Sequence, residues 1–197
     1  MKKKLKKCMK NELIVVVPDG LRIGRNFKPY LTNTYRSVLK KACKQSIRYQ
    51  LKILLLPANN FGSSKSEEDL GKEYLLKKGV KKNMIIVGFK KSKKYLDTLD
   101  NFNQAILYGG KINGKFFKVS NYLKEGNFKL ITSYIHGHRV LRAIKLLKLR
   151  EPKKVFLIFS TESHDLPLRI FYYKYPSIHF MYEILASFYQ TLKIFWI

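Results

Sequence analysis

Cysteine is nearly absent from this chain of 197 residues, which carries only Cys8 and Cys43. Two thiols build neither a disulfide framework nor a cysteine-ligated zinc site, and they suit a reducing compartment. Acidic residues are also few, 13 against 40 Lys and Arg, leaving a net charge of +27. Within that excess Arg is scarce: 8 of the 40 cations are Arg and 32 are Lys. Base-edge and bidentate phosphate readout favour the planar Arg fork, whereas Lys is a hydrated point charge. The lysines are scattered as pairs, such as Lys40-Lys41, Lys81-Lys82 and Lys153-Lys154. The pattern reads as solvated surface ahead of a nucleic-acid face, with an anionic partner left open.

Long uninterrupted apolar runs are missing too. The basic start, 1–10, is followed only by Leu13 to Val17 before Pro18-Asp19, too short for a secretory apolar region. At the other end, Ile178 to Ile197 is rich in Phe, Tyr, Ile and Leu, and about 20 apolar residues are enough to span a bilayer. His179, Glu183, Gln190 and Lys193 interrupt the segment, and a carboxylate in mid-span is costly in lipid. A buried or surface-docked helix over 178–194 is the expectation, with peripheral membrane contact left open. The chain has no Walker loop and no Gly-x-Gly-x-x-Gly, which removes the two commonest phosphate-cradling fingerprints. No internal repeat is visible.

What is present is an alternation of short apolar runs and amphipathic stretches. Leu13 to Val17, Leu51 to Leu56, Met84 to Val87, Phe128 to Ile131 and Val155 to Phe159 read as buried strands. Helices are expected from Thr32 to about Tyr49, from Ser66 to Lys78, from Asp97 to Gly109 and from about Gly137 to Leu149, before the terminal one. Asn113-Gly114 marks a hairpin inside 110–127, read as an excursion from the main sheet. The whole predicts one α/β domain over 13–197 behind a basic tail, 1–12. Its fold class is a Rossmann-like three-layer one, with a mostly parallel five-stranded sheet, the hairpin insertion and a C-terminal helix.

In such sheets ligands bind beyond the carboxyl ends of the strands, and polar residues gather there. Asp19 and Gly20 follow the first strand, and Ser66 and Glu67 open the helix after the second. Asp97, Thr98 and Asn101 open the helix after the third, and Thr132, Ser133, His136 and Arg139 follow the fourth. Helix N-termini offer free N–H groups to an anion, and Arg139 adds a fork suited to phosphate or carboxylate. Ser66, Asp97, Thr98 and the Thr132-Ser133 pair are equally good helix caps. His136 and His138, two apart, diverge on a helix and cannot share a metal there, and no carboxylate or Cys nearby completes a site. Ser133 with His136 lacks a nucleophile-elbow pattern. Glu12, Glu125 and Glu151 read as ordinary surface.

The order of these motifs resembles the YdcF-like family (SanA and ElyC relatives, domain of unknown function 218). Ser66-Glu67 precedes a helix ending in Lys78-Gly79-Val80. Asp97-Thr98-x-Asp100-Asn101 is similar to the family's Asn-Thr-x-Glu-Asn type motif. Ile131-Thr132-Ser133-x-x-His136-x-x-Arg139 is similar to its Thr-Ser…His…Arg motif. Arg36, six residues before Ala42, and Glu183 followed by Ile-Leu-x-x-Phe-Tyr complete the likeness. Pro18-Asp19-Gly20, Pro57-Ala58-Asn59-Asn60 and Tyr95 depart from the family pattern. The resemblance implies a cytoplasmic relative of bacterial proteins linked to the cell envelope, with S-adenosylmethionine among the ligands it allows. With the residues, it suggests binding of a small phosphate- or nucleotide-containing molecule, with His136 as candidate acid or base. The alternative is a non-catalytic basic module for nucleic acid or an anionic membrane surface.

Overall fold

Strict alternation along the strands sends apolar side chains to both faces of a single sheet. In β1 (Leu13–Val16), Leu13 and Val15 pack to one side, and Ile14 and Val16 to the other. A strand buried on both faces is what a parallel sheet sandwiched by helices requires. The computed structural model describes residues 12–18, 21–23, 28–58, 64–91, 96–159 and 176–195.

After β1 come β2 (Leu21–Ile23) and β3 (Pro29–Leu31), an antiparallel pair in which Leu21 faces Leu31. This small sheet occupies a segment that reads from sequence as a polar loop. Helix α1 (Asn33–Tyr49) follows, then β4 (Lys52–Leu55), α2 (Glu67–Lys77), a 3-10 turn (Lys82–Met84) and β5 (Ile85–Gly88). Next are α3 (Thr98–Tyr108), β6 (Gly110–Ile112), β7 (Lys115–Phe117), α4 (Ser120–Lys124), β8 (Phe128–Ser133), α5 (Tyr134–Leu146), β9 (Lys154–Ile158) and α6 (Pro176–Phe195).

The main sheet has seven strands in the order β7-β6-β5-β4-β1-β8-β9. The five central and right-hand strands, β5, β4, β1, β8 and β9, are parallel, as the sequence leads one to expect. The hairpin of 110–127 is a correction: β6 pairs antiparallel with β5 and lengthens the sheet instead of leaving it. Gly110 makes this possible, because a Cβ there would lie 2.6 Å from Ile86 Cγ2 and 2.8 Å from Val87 O.

The helices divide by face. α1 and α2 cover the side of Ile14, Val16, Ile53 and Leu55. α3, α4 and α5 cover the side of Val15, Leu54, Ile86 and Leu130. The chain steps from β1 outward to β5, then returns to the other flank of β1 through β8 and β9. Right-handed crossovers place the helices of the two halves on opposite faces, and the strand order reverses between β1 and β8. That is the point where ligand crevices form in doubly wound sheets. α6 packs chiefly on α5 and stands outside the three layers.

Glu12 sits just before β1, at the opposite edge of the sheet from the strand ends. Its side chain is 12% exposed and reaches Lys153 at 2.9 Å and Lys129 at 3.6 Å. It fastens the start of β1 to β8 and to the residue before β9, and so is not ordinary surface. Glu125 and Glu151 are exposed, as expected.

Candidate functional site

The reversal point assembles Thr132, Ser133, His136 and Arg139 at the junction of β8 and α5. Thr132 follows Phe128 and Leu130 by alternation, so its side chain points to the face covered by α3 and α5. It is fully buried, and its Oγ1 has no hydrogen-bond partner among the described residues. Ser133 is the N-cap residue of α5, with extended φ −69° and ψ 155°, yet its side chain makes no capping hydrogen bond. The helix itself starts at Tyr134, three residues earlier than the sequence suggests, so His136 and His138 both lie on it. They point apart, and the described residues form no group of three metal-ligating side chains.

His136 lies in the first turn of α5 and is buried. Its Nδ1 is 2.6 Å from an Arg139 guanidinium nitrogen, and its Nε2 is 3.2 Å from Thr98 Oγ1. A guanidinium only donates, so Nδ1 must accept, and the ring proton sits on Nε2 and is donated to Thr98. The ring thereby links the N-termini of α3 and α5. Both of its nitrogens are engaged, so passing a proton to a ligand requires that ligand to take the place of Thr98 or Arg139. Arg139 also lies over the Tyr182 ring of α6, 5.9 Å from its centre.

The residues at the other strand ends are held mainly by their own helices. Ser66 and Asp69 form a reciprocal capping box at α2, and Asp97 and Asp100 form another at α3. Ser66 and Asp97 are caps in this arrangement. Thr98, one residue further, is not a cap but the partner of His136. Asn101 is buried, and with its amide nitrogen facing inward it donates to Pro57 O at 3.0 Å and Asp97 O at 3.1 Å. It ties the end of β4 to the start of α3. Glu67 is buried at the start of α2. Asp19 and Gly20 lie outside the described residues.

Three groups escaped the sequence reading. Glu68 is buried beside Ala58 and Ser66, and burial pushes its carboxyl up to about 7 against weaker opposing hydrogen bonds. A Glu in the first turn of a helix is an unremarked feature until its burial is known. Lys193 of α6 donates to Asp100 at 2.7 Å and to Asp97 at 3.1 Å. Burial pulls its ammonium down, but the bonds to Asp100 and Asp97 outweigh that and leave it raised. Asp100 was legible only as the acidic position of a motif. No pattern in the sequence joins positions 97 and 193.

The chemistry gathered at the reversal point is therefore a donor fork, a buried hydroxyl without a partner among the described residues, and the first turn of a helix whose N-cap side chain makes no capping hydrogen bond. Thr32, Ser66 and Asp97 each cap their helices through their side chains, and Ser133 does not. No family model, curated protein or solved structure matches the chain.

Proposed function

We propose that the reversal point between β1 and β8 binds a small molecule carrying a phosphate or another anionic group, a nucleotide being one form of it. Thr132 carries the reading: a fully buried hydroxyl without a partner among the described residues costs about 1–3 kcal/mol, and a bound acceptor or donor removes that cost. The first turn of α5, which the Ser133 side chain does not cap, favours an anion by dipole and hydrogen bonding. Arg139 supplies positive charge one turn further along. His136 and Thr98 hold α5 and α3 in fixed relation, and Asn101 does the same for β4 and α3. The resemblance to the YdcF-like family adds S-adenosylmethionine and envelope-related phosphate compounds to the candidate ligands.

The test is a thermal-shift screen of the full chain against inorganic phosphate, nucleotides, sugar phosphates and S-adenosylmethionine, at low and high salt. A ligand that binds only the folded state raises the midpoint by mass action. The reading expects a salt-resistant rise from one small molecule, reduced at least tenfold in apparent affinity by Arg139→Ala. Shifts from polyanions alone, vanishing with salt, would replace it with binding through surface lysines.

A further inference from the structure

Helix α6 is built inside out. At 100° per residue, Ile178, Phe180, Met181, Ile184, Leu185, Phe188, Tyr189 and Leu192 fall on one half of its circumference, and all of them are exposed. Leu185 and Tyr189 show 64% and 61% of their surface to solvent. The other half faces α5, where polar groups sit beside the half-buried Tyr182 and Ala186. Ser187 and Gln190 are buried there and Lys193 reaches the acidic start of α3, while Thr191, at the border of the apolar strip, meets Arg142. Helices that only cover a core place these residues the other way round.

We infer that this face is a docking surface for an anionic lipid bilayer, with α6 lying in the plane of the interface. Two observations favour that occupant. The chain's net charge of +27 complements an anionic headgroup layer and opposes association with a second copy. No helix among the described residues is long and apolar enough to cross a membrane, so the strip rests at the surface, where Phe, Tyr and Leu side chains sit favourably. The inference is independent of the ligand site at the reversal point.

The measurement is co-sedimentation of the full chain with vesicles of phosphatidylcholine containing 30 mol% phosphatidylglycerol (~30% anionic lipid, within the range where basic surfaces bind). Pure phosphatidylcholine vesicles and a short RNA serve as comparisons, each at low and high salt. The chain is expected to bind the anionic vesicles at least ~10-fold more tightly than the neutral ones, and to retain part of that binding in high salt because apolar contact is unscreened. The double variant Leu185→Gln, Phe188→Gln changes only exposed side chains, so its melting temperature should match the wild type. Its vesicle affinity should fall ~10-fold or more. Equal vesicle binding by the variant overturns the inference and leaves the lysines as the cause. A wild-type dimer in light scattering that the variant abolishes, or binding to RNA alone, overturns it as well.

Discussion

Thr98 and His136, 38 positions apart in the chain, meet at 3.2 Å between the first turns of α3 and α5. Both side chains are buried. The proton in this contact belongs to the imidazole, because Arg139 occupies the other nitrogen as a donor. Replacing Thr98 by Val keeps the shape and removes the acceptor. The variant should be destabilised by about 1–3 kcal/mol, the cost of leaving a buried N–H unpaired. Urea unfolding of Thr98→Val checks this.

Glu68 gives a pH signature. The fold holds its proton more tightly than the unfolded chain does, with the carboxyl pushed from 4.5 up to about 7 by burial. Stability from this residue is therefore complete below pH 4.5 and is lost as the pH rises to about 7, with a total of roughly 3 kcal/mol. Glu68→Gln should raise the melting temperature at pH 8 and change it little at pH 4.5. Paired thermal melts across that window would reveal the opposite trend if the carboxylate were instead stabilised in the fold.

The bond from Lys193 to Asp97 and Asp100 fastens α6 over the start of α3. The three side chains are 18–28% exposed, so the pair lies between a surface bridge and a buried one. Lys193→Met should cost about 1–2 kcal/mol, and the difference from wild type should shrink as salt screens the pair. Denaturant unfolding in low and high salt measures both.

Gly88 ends β5 against Pro57, where a Cβ would lie 2.6 Å from the Pro57 nitrogen and 2.9 Å from Leu55 O. Backbone cannot yield as a flexible side-chain tip does. Gly88→Ala should therefore lower stability by about 1–3 kcal/mol, measured by denaturant midpoint. Gly79 has φ +85° with nothing within 4 Å; Gly79→Ala is opposed by backbone strain alone and should cost about 1 kcal/mol.

The parallel core was legible because each of its strands is a local apolar run and α1, α2 and α3 each start with a side-chain cap. Ser66 and Asp97 announce α2 and α3 through neighbours three positions away. The fate of 110–127 was not legible, because the pairing of Gly88 with Gly110 is a backbone contact that no side-chain pattern encodes. The start of α5 was misplaced by three residues although the sequence offers Ser133 as a cap, a cap whose side chain makes no hydrogen bond to the helix. In the site, Thr132, His136 and Arg139 were readable as a group from their spacing. The links to Thr98 and Tyr182 were not, since they depend on how α3 and α6 pack on α5. The terminal helix was readable as apolar, but which half of it faces the protein is decided by Arg139, Arg142 and the acidic start of α3.

The most direct test of the ligand site is Thr132→Val, measured by thermal melting without ligand and by calorimetric titration with inorganic phosphate and ATP. A hydroxyl that awaits a ligand is a burden to the empty protein, so the variant should be as stable as wild type or about 1 kcal/mol more stable. It should also bind the effective ligand at least ~10-fold more weakly, the loss of about 1.4 kcal/mol. A variant that is markedly less stable, or that binds with unchanged affinity, would show that Thr132 serves the fold alone and that the ligand, if any, sits elsewhere.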